Sequence, residues 1–404
     1  MALSDAQIQA LARDALQRAA AGDFISAEPV FAEIAEARPN SGQALHLLGQ
    51  ARLKLGRFAE AREPLERAAK FLPRDPSAQI NLAGCLSELG AHEEALAALD
   101  RAQRLKPGDA AIAHNKGLAL DALGRRNEAE HAYDEALSIN PRLLPSLAAR
   151  SALLAARGDW MAALADLDMA LTERPGDAQL LMRRGELFLA QGDWLRGLDD
   201  YEARLDLPGR WRPDLPRWQG ESLSGRLLLY PEQADIDRDD AARDSLMLAR
   251  GVEATVQCSE KVAEWLEAPT IRRGDSLQGF VAAAPLRSLP RILGWSLRSL
   301  PPPQEVRLKA QSGDRVGWFA RTGPPAGLAI ERDPSRLAAC KLAVGGDVPA
   351  THLAALMGIP TILLLEPTAD WLWGPQSGPS PWYPSLEVLR DASSEALAAR
   401  LARC

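Results

Sequence analysis

The sequence predicts an α-solenoid over its first half and an α/β region over its second half. In the first half, prolines recur every 34 residues without a slip, and a column of glycines keeps the same period. After about residue 205 this period stops, and short apolar runs alternate with helical segments instead. The prolines are Pro39, Pro73, Pro107, Pro141 and Pro175, and the glycines are Gly22, Gly56, Gly90, Gly124, Gly158 and Gly192.

Each period contains two amphipathic segments. Between Pro39 and Pro73, Leu45 and Leu48 recur at helical spacing, Gly56 ends the first helix, and a second apolar stripe follows. A fixed 34-residue period of paired helices resembles the tetratricopeptide repeat. The resemblance implies six helix pairs over residues 1–204, the first an atypical cap at 4–38, in a right-handed solenoid with a concave binding groove.

Composition favours a soluble cytoplasmic protein without a metal. The chain has 404 residues and a net charge of −7 with no basic blocks, which disfavours nucleic acid or an anionic membrane as the main partner. The N-terminus lacks a basic start followed by an apolar run, and no apolar run is long enough to span a membrane. Cysteines are too widely spaced for a zinc site or disulfide framework: Cys85, Cys258, Cys340 and Cys404.

The second half divides into a connector and two α/β parts. Residues 205–225 are rich in Pro, Gly and Trp and predict an extended connector that packs on a domain. Residues 226–303 predict strands at 226–230, 254–257 and 279–283, with helices at 239–250 and 259–266, the latter capped by Ser259. After a run of three prolines, residues 304–404 predict strands at 315–320, 341–344 and 361–365, with helices at 334–340 and 350–357.

Several motifs of the second half occur in a characteristic order. Residues 346–360 read Gly-Asp-Val-Pro-Ala-Thr-His-Leu-Ala-Ala-Leu-Met-Gly-Ile-Pro, and 370–373 and 381–384 read Asp-Trp-Leu-Trp and Pro-Trp-Tyr-Pro. Upstream lie Pro216-x-Trp218-x-Gly220, Glu232-Gln233 and Ser288-Leu-Pro290. Over nearly the whole chain, this order resembles bacterial tetratricopeptide proteins with a GT-B glycosyltransferase domain related to heptosyltransferases and O-linked N-acetylglucosamine transferase.

The resemblance implies a Rossmann-type region that takes a nucleotide diphosphate sugar as donor and needs no metal. A helix N-terminus after a strand offers N–H groups and a positive dipole end to a diphosphate. Gly346, Asp347 and His352 would be the remnant of this site, and Arg321 is the nearest counterpart of the cation that such a site uses. No catalytic residue is assigned.

Three departures from the family pattern predict an impaired donor site. The glycine-rich turn expected after Glu232-Gln233 is replaced by residues 234–237, Ala-Asp-Ile-Asp. The hydroxyl residue expected after Asp347 is Val348. The distance along the chain from the strand at 316–318 to Asp347 is too short for the family pattern, as if a strand–helix portion were missing.

The first helix of each pair is expected to line the concave groove and to contact a protein or peptide client. In O-linked N-acetylglucosamine transferase arrays, asparagines at the repeat position of Asn81 and Asn115 contact the client backbone, which the resemblance extends to these two residues. The predicted groove residues are Gln43, His46, Gln50, Asn81, Asn115, Asp121 and Arg183.

Several features have a structural alternative. His352 could pack against Trp371 or Trp373 instead of acting on a ligand. The carboxylates at 235–240 could form a solvated helix N-terminus instead of a metal site, and the tryptophans could be core residues instead of sugar platforms.

Three functions remain open from the sequence. The chain could be a scaffold that recruits a protein client and carries a degenerate transferase domain. It could be an active protein O-glycosyltransferase, for example on flagellin, or a regulatory subunit that pairs with a complete paralogue.

Overall fold

The computed structural model describes residues 4–296, 298–303, 305–307, 310–311, 315–320, 330–365, 371–373, 377–390, 397 and 400–401. Contacts divide the chain into two compact units, Met1–Pro175 and Gly176–Cys404. Arg321 and Asp370, named above, lie outside the described residues.

The first unit consists of helices that pair in sequence order, as predicted. Glycines with positive φ follow the first helix of each pair, for example Gly56 at 71° and Gly124 at 74°. Aspartates cap the first helices of later pairs, where Asp75 accepts from the Ser77 N–H and Asp109 from the Ala111 N–H. The helices are α1 Asp5–Ala20, α2 Phe24–Ala37, α3 Gly42–Lys54, α4 Phe58–Phe71, α5 Pro76–Glu88, α6 His92–Leu105, α7 Ala110–Ala122, α8 Arg126–Ile139, α9 Leu144–Arg157 and α10 Trp160–Glu173.

Small residues allow the two helices of a pair to approach closely. Alanines also recur with the 34-residue period and are fully buried; Ala61 and Ala95, one period apart, are both 0 % exposed. A Cβ at Gly117 would lie 2.3 Å from the Tyr133 ring, and one at Gly49 would lie 2.4 Å from Leu65. The period of the sequence therefore reflects steric contacts between neighbouring helices.

The second unit begins with the sixth helix pair, α11 Ala178–Ala190 and α12 Trp194–Tyr201. The repeat period predicts that the array ends near Arg204, but contacts group this pair with the α/β region. Trp194 and Tyr201 each place their rings 5.5 Å from Trp371 in edge-on contacts. The last helix pair is thus part of the core of the second unit.

The first sheet of the second unit is parallel and has the order β3-β2-β1-β4. Its strands are β1 Arg226–Tyr230, β2 Thr255–Gln257, β3 Thr270–Ile271 and β4 Phe280–Pro285. Its helices are α13 Asp239–Leu248, α14 Glu260–Trp265, which Ser259 caps as predicted, and α15 Leu289–Ile292. The connector extends the sheet, because the Trp218 N–H donates to the Ala283 carbonyl at 2.8 Å.

The second sheet has the order β6-β5-β7-β8-β10-β9 among the described residues, and only the β9–β10 pairing in it is antiparallel. Its strands are β5 Arg315–Phe319, β6 Ile330–Glu331, β7 Cys340–Gly345, β8 Thr361–Leu365, β9 Gly378–Pro379 and β10 Leu386–Arg390, and α16 spans Pro349–Leu356.

The structure corrects the secondary-structure prediction at a few elements. The segment predicted as a helix at 334–340 is a 3₁₀ helix, Pro334–Ala339. Strands β3, β6 and β9 have two residues each and are too short for a periodic pattern. Strand β10 was not predicted, although its residues alternate between buried and half-buried at its start.

We expect opposite effects from two alanine substitutions in equivalent helices. Gly117→Ala should lower the free energy of unfolding of the first unit by about 1–3 kcal/mol, because the new methyl group would overlap the Tyr133 ring. Gly84→Ala should raise it by about 0.5–1 kcal/mol, because a Cβ there meets nothing within 4 Å. Urea unfolding followed by circular dichroism measures both changes. Equal effects would contradict the close helix contact at Gly117.

Candidate functional site

The candidate site lies where β1 and β7 end. In parallel α/β sheets, ligands bind beyond the carboxyl ends of the strands. Helix α13 follows β1, helix α16 follows β7, and the two helices pack against each other. Side chains of both helices and of the preceding loops therefore meet at this place.

Asp347 lies in the loop between β7 and α16 and has two internal partners. Its Oδ2 accepts from Arg243 Nη1 at 2.7 Å, and its Oδ1 lies 2.9 Å from His352 Nε2. Burial alone would raise the pKa of Asp347, but the hydrogen bond from His352 and the charge of Arg243 outweigh it and hold that pKa well below its usual range. Asp347 is therefore an ionised carboxylate that Arg243 and His352 already compensate.

His352 is fully buried, and both of its ring nitrogens are engaged. Because the Asp347 carboxylate only accepts, Nε2 carries a proton and donates to it, and Nδ1 lies 2.9 Å from the Tyr383 hydroxyl oxygen. Burial raises the pKa of Tyr383, which keeps that hydroxyl protonated. The imidazole also packs 5.4 Å from the Trp373 ring. Both ring nitrogens of His352 therefore have a partner within the protein.

The N-terminus of α16 offers few free donors. An ordinary helix leaves its first four N–H groups unpaired. Here Pro349 has no N–H, the Val348 N–H donates to Gly346, and the Thr351 N–H donates back to Val348. Among these positions the N–H of Ala350 remains for an anion.

Asp244 is fully buried on α13 and connects two arginines. It accepts from Arg243 Nη2 at 3.0 Å and from Arg287 Nε at 2.8 Å, and Gln233 Nε2 donates to it at 3.2 Å. Burial would raise the pKa of Asp244, but Arg287 and Arg243 hold it below its usual range. Arg287 in turn donates to the Tyr201 hydroxyl at 2.8 Å. A continuous chain of charges therefore runs from Asp347 to the end of α12.

The Glu232-Gln233 motif is likewise bound internally. Glu232 is 2 % exposed, and its carboxylate accepts hydrogen bonds from Nε and Nη2 of Arg204. Arg204 is 0 % exposed and also donates to Ser288 Oγ at 2.9 Å. Charge-assisted, bidentate pairing of this kind satisfies both buried groups. Glu232 and Ser288, from two of the motifs, thus meet around one arginine that follows the last repeat.

The turn at 234–237 is fixed from outside the motif. Arg273 Nη1 donates to the Gln233 carbonyl at 2.8 Å and also to the Ala234 carbonyl, and its guanidinium lies 4.1 Å from the centre of the Trp211 ring. Asp235 and Asp237 are exposed. Asp239 and Asp240 fall in the first turn of α13, where Asp240 pairs with Arg238 at 3.1 Å. This placement favours the helix N-terminus interpretation of the acidic cluster.

The remaining donor-site residues also have structural surroundings. Gly346 N–H points to the Phe319 carbonyl at 3.5 Å, and a Cβ there would meet nothing within 4 Å. Its neighbour Gly345 is the sterically required glycine, because a Cβ would lie 2.0 Å from Thr351 Oγ1. Trp371 and Trp373 are buried at 5 % and 2 % exposure, which favours the core interpretation for both.

The predicted groove residues of the first unit lie on the first helices of their pairs. Gln43, Gln50 and Asp121 are exposed and Asn115 is half-buried. Asn81 lies 2.7 Å from His46 Nε2 through its Nδ2. Burial lowers the pKa of His46, so the neutral ring accepts this hydrogen bond. Arg183 lies on α11 in the second unit and has a partner of its own.

The site contains charged residues that the sequence reading did not select. Arg204, Arg243, Asp244 and Arg287 belong to no motif quoted above, and Arg243 is 104 residues from Asp347 along the chain. One local feature of the sequence pointed to them: Arg243 and Asp244 are adjacent in a largely apolar part of α13. Because charged residues are rarely buried unless they are paired, the burial of this part of the helix implies an ion pair.

Comparisons with known proteins identify the first half of the chain. Models of the tetratricopeptide repeat match residues 10–76, 48–110 and 147–208, and a second such model matches 110–143. The predicted repeats are therefore confirmed, and residues 10–208 contain tetratricopeptide repeats. No curated protein matches the chain.

Three of the similar solved structures span less than half of this chain. A thermophilic tetratricopeptide protein of Thermus thermophilus is 26 % identical over 45 % of this chain and 99 % of its own, with a TM-score of 0.38. MamA of Desulfovibrio magneticus is 19 % identical over 42 % and 97 %, with a TM-score of 0.40. The pilF protein of Pseudomonas aeruginosa is 20 % identical over 49 % and 90 %, with a TM-score of 0.44.

Two features are absent from the described part of the chain. None of its helices combines the length and the apolar character needed to cross a bilayer. Within the same residues, no group of three or more His, Cys, Asp or Glu side chains is arranged to hold a metal ion.

We expect Asp347 to make the free energy of unfolding of the second unit fall as the pH is lowered below about 4. Its folded pKa lies below the unfolded value of 3.8, so its contribution is complete above about pH 4 and is lost as the pH falls further toward the folded pKa. The free energy of unfolding of Asp347→Asn should therefore differ most from that of the unchanged protein at pH 5 to 6, and the difference should shrink by pH 3.

Urea unfolding followed by tryptophan fluorescence measures this effect, because nine of the 10 tryptophans follow residue 175. The matched control is Asp237→Asn, which removes an exposed carboxylate from the turn before α13. A difference for Asp347→Asn that stays constant between pH 6 and pH 3 would contradict the depressed pKa.

Proposed function

We propose that this chain is a protein-binding scaffold whose α/β region is a reduced GT-B-like domain without transferase activity. One observation carries the proposal: Asp347 and His352, the residues that match the donor motif, use their polar atoms on Arg243 and Tyr383 and on each other. As long as these internal contacts are kept, they compete with a diphosphate for the same polar atoms.

The order of the strands supports a reduced Rossmann-type ancestry. The first sheet, β3-β2-β1-β4, follows the beginning of the Rossmann order 3-2-1-4-5-6. In the second sheet, the parallel strands β6-β5-β7-β8-β10 have the order 2-1-3-4-5 among the described residues. Removing the third strand from the Rossmann order leaves this same arrangement. This agrees with the short distance along the chain between the strand at 316–318 and Asp347.

The charges at the site also disfavour a diphosphate. Asp347 and Asp244 are both ionised, and each of the arginines Arg243 and Arg287 pairs with at least one of them. A diphosphate would have to compete with Asp347 and Asp244 for Arg243, and its negative charge would lie close to both carboxylates.

We expect nucleoside diphosphates and their sugars to bind weakly or not at all. Calorimetric titration of the full chain with UDP, GDP, CDP and the corresponding sugars should give no heat of binding at micromolar ligand, because the α16 N-terminus has few free donors. The control is titration under the same conditions of His352→Ala and of His131→Ala, a substitution at an exposed histidine of the repeats.

A micromolar dissociation constant that is lost in His352→Ala but kept in His131→Ala would contradict the proposal. It would favour the alternative function, an active protein O-glycosyltransferase, for which the ordered set of sequence motifs is the supporting observation. Transfer of a labelled sugar from that donor to a serine or threonine of a client would then establish the activity.

The repeats would supply the client-binding surface of this scaffold. Tetratricopeptide arrays present an extended concave surface for binding. Gln43 and Gln50 on α3 are exposed, and Asn81 and Asn115 repeat one period apart on α5 and α7. Amide side chains can both donate to and accept from an extended peptide backbone. A protein or peptide client along these first helices is the partner that this arrangement favours.

We expect a photoreactive side chain at Gln50 to cross-link the client, and one at Glu63, an exposed position on the second helix α4, to do so much less.

Each amide contact contributes about 0.5–1.5 kcal/mol, so Asn81→Ala or Asn115→Ala alone should weaken binding of the client by about tenfold at most. The double variant should weaken it further, and its melting temperature should be somewhat lower, because the buried His46 ring loses the hydrogen bond from Asn81. Unchanged cross-linking at Gln50 in the double variant would mean that these asparagines do not bind the client.

A further inference from the structure

Gln79 is a buried amide in a place where the repeat has an apolar residue. One period earlier the same position is Leu45, and Gln79 on α5 is equally buried, at 5 % exposure against 3 % for Leu45. Its Oε1 has no hydrogen-bond partner within the described residues. Buried amide oxygens are almost always paired in folded proteins, so this one lacks a donor that something else can supply.

The amide borders a cleft between the second helices α4 and α6. Gln79 lines two adjoining cavities there, of about 360 and 380 Å³, which also share Ala69, Lys70 and Arg101. Each cavity is within the size range of ligand pockets, about 300–1,000 Å³. The unpaired oxygen therefore lies beside a space that a ligand can enter.

The larger of the two cavities is cationic. Its wall contains Lys70, Arg101 and Arg104 and no carboxylate, and none of these three forms an ion pair among the described residues. Glu66 and Glu94 line the neighbouring cavity, but Arg62 pairs with them at 2.7 and 2.9 Å. The cleft therefore carries positive charge that the protein does not neutralise.

Apolar surface completes the cationic cavity. Ala69, Pro73 and Leu105 lie between the charged residues, and Leu105 is 38 % exposed. A ligand that fits would combine a carboxylate, an N–H donor and an apolar part. An acidic peptide has all three, whereas an inorganic anion has no apolar part to cover Ala69, Pro73 and Leu105.

We propose that the cleft between α4 and α6 binds an acidic peptide segment of a partner protein. A glutamate or aspartate of the segment pairs with Arg101 and its neighbouring cations, and a peptide N–H donates to Gln79 Oε1. The site lies on second helices and the side of α5 that carries Gln79, so it is separate from the predicted client groove, and it does not depend on the function proposed above.

The test measures binding of a defined peptide to the full chain by fluorescence anisotropy. The probe is a fluorescein-labelled octapeptide of alternating glutamate and leucine, amidated at its C-terminus, and the matched probe has glutamine in place of glutamate. The glutamate peptide should bind, should bind more weakly as salt concentration rises, and should bind at least about tenfold more tightly than the glutamine peptide.

Two variants separate the contributions of the amide and the charge. Gln79→Leu restores the residue found at Leu45, so it should keep or raise the melting temperature while weakening the glutamate peptide about fivefold to tenfold. Arg101→Gln changes an exposed side chain and should weaken it about tenfold. The Asn81→Ala, Asn115→Ala double variant should bind the peptide as the unchanged protein does.

Three outcomes would overturn the proposal. The first is no binding of the glutamate peptide at millimolar concentration, and the second is equal binding by Gln79→Leu and the unchanged protein. The third is complete displacement of the peptide by millimolar inorganic phosphate at a matched ionic strength, which would indicate a simple anion site. If the asparagine double variant alone loses the peptide, the acidic segment belongs in the groove and the cleft is not its site.

Discussion

The second unit depends on one chain of alternating buried charges. Asp347, Arg243, Asp244 and Arg287 follow one another at hydrogen-bond distance, and because α13 follows β1 and α16 follows β7, this chain joins the two sheets. Removal of Arg243 or Asp244, which each pair with two neighbours, would leave those neighbours with less compensating charge, and this is costly for groups that are largely buried. Arg250 adds a second link, since its guanidinium donates to the carbonyls of Met247, Pro301 and Trp382. The two sheets are therefore held in one arrangement by polar contacts with strict geometry.

The same contacts engage the residues of the donor-like motif within the protein. Asp347 is ionised but compensated, both ring nitrogens of His352 have partners, and Glu232 is enclosed by Arg204. Each residue type that the motif supplies is present, yet each one stabilises the fold. In a transferase such groups would have to be aimed at the substrate.

The repeats obey a more local constraint. The two helices of each pair pack through small residues and buried alanines that recur with the 34-residue period. The neighbouring helix therefore limits the size of the side chain at these positions. Against such a regular background a single departure is easy to see. Gln79 breaks the apolar column, and the structure places it at a cleft lined by Lys70 and Arg101. Because the other repeats have an apolar residue at this position, Gln79 is a candidate for a role other than packing.

The sequence alone determined the paired helices, their glycine ends, the cap at Ser259 and the longer strands β1 and β8, because all of these follow from the pattern of residues close together in the chain. The short strands β3, β6 and β9 were not predictable, since two residues have no period. Nor was the choice of partners at the site, where Arg243 meets Asp347 across 104 residues and Arg204 meets Glu232 across 28. That choice depends on how the helices and sheets pack against one another, which only the tertiary structure decides, because an ion pair requires two groups to be close in space and places no condition on their distance in sequence.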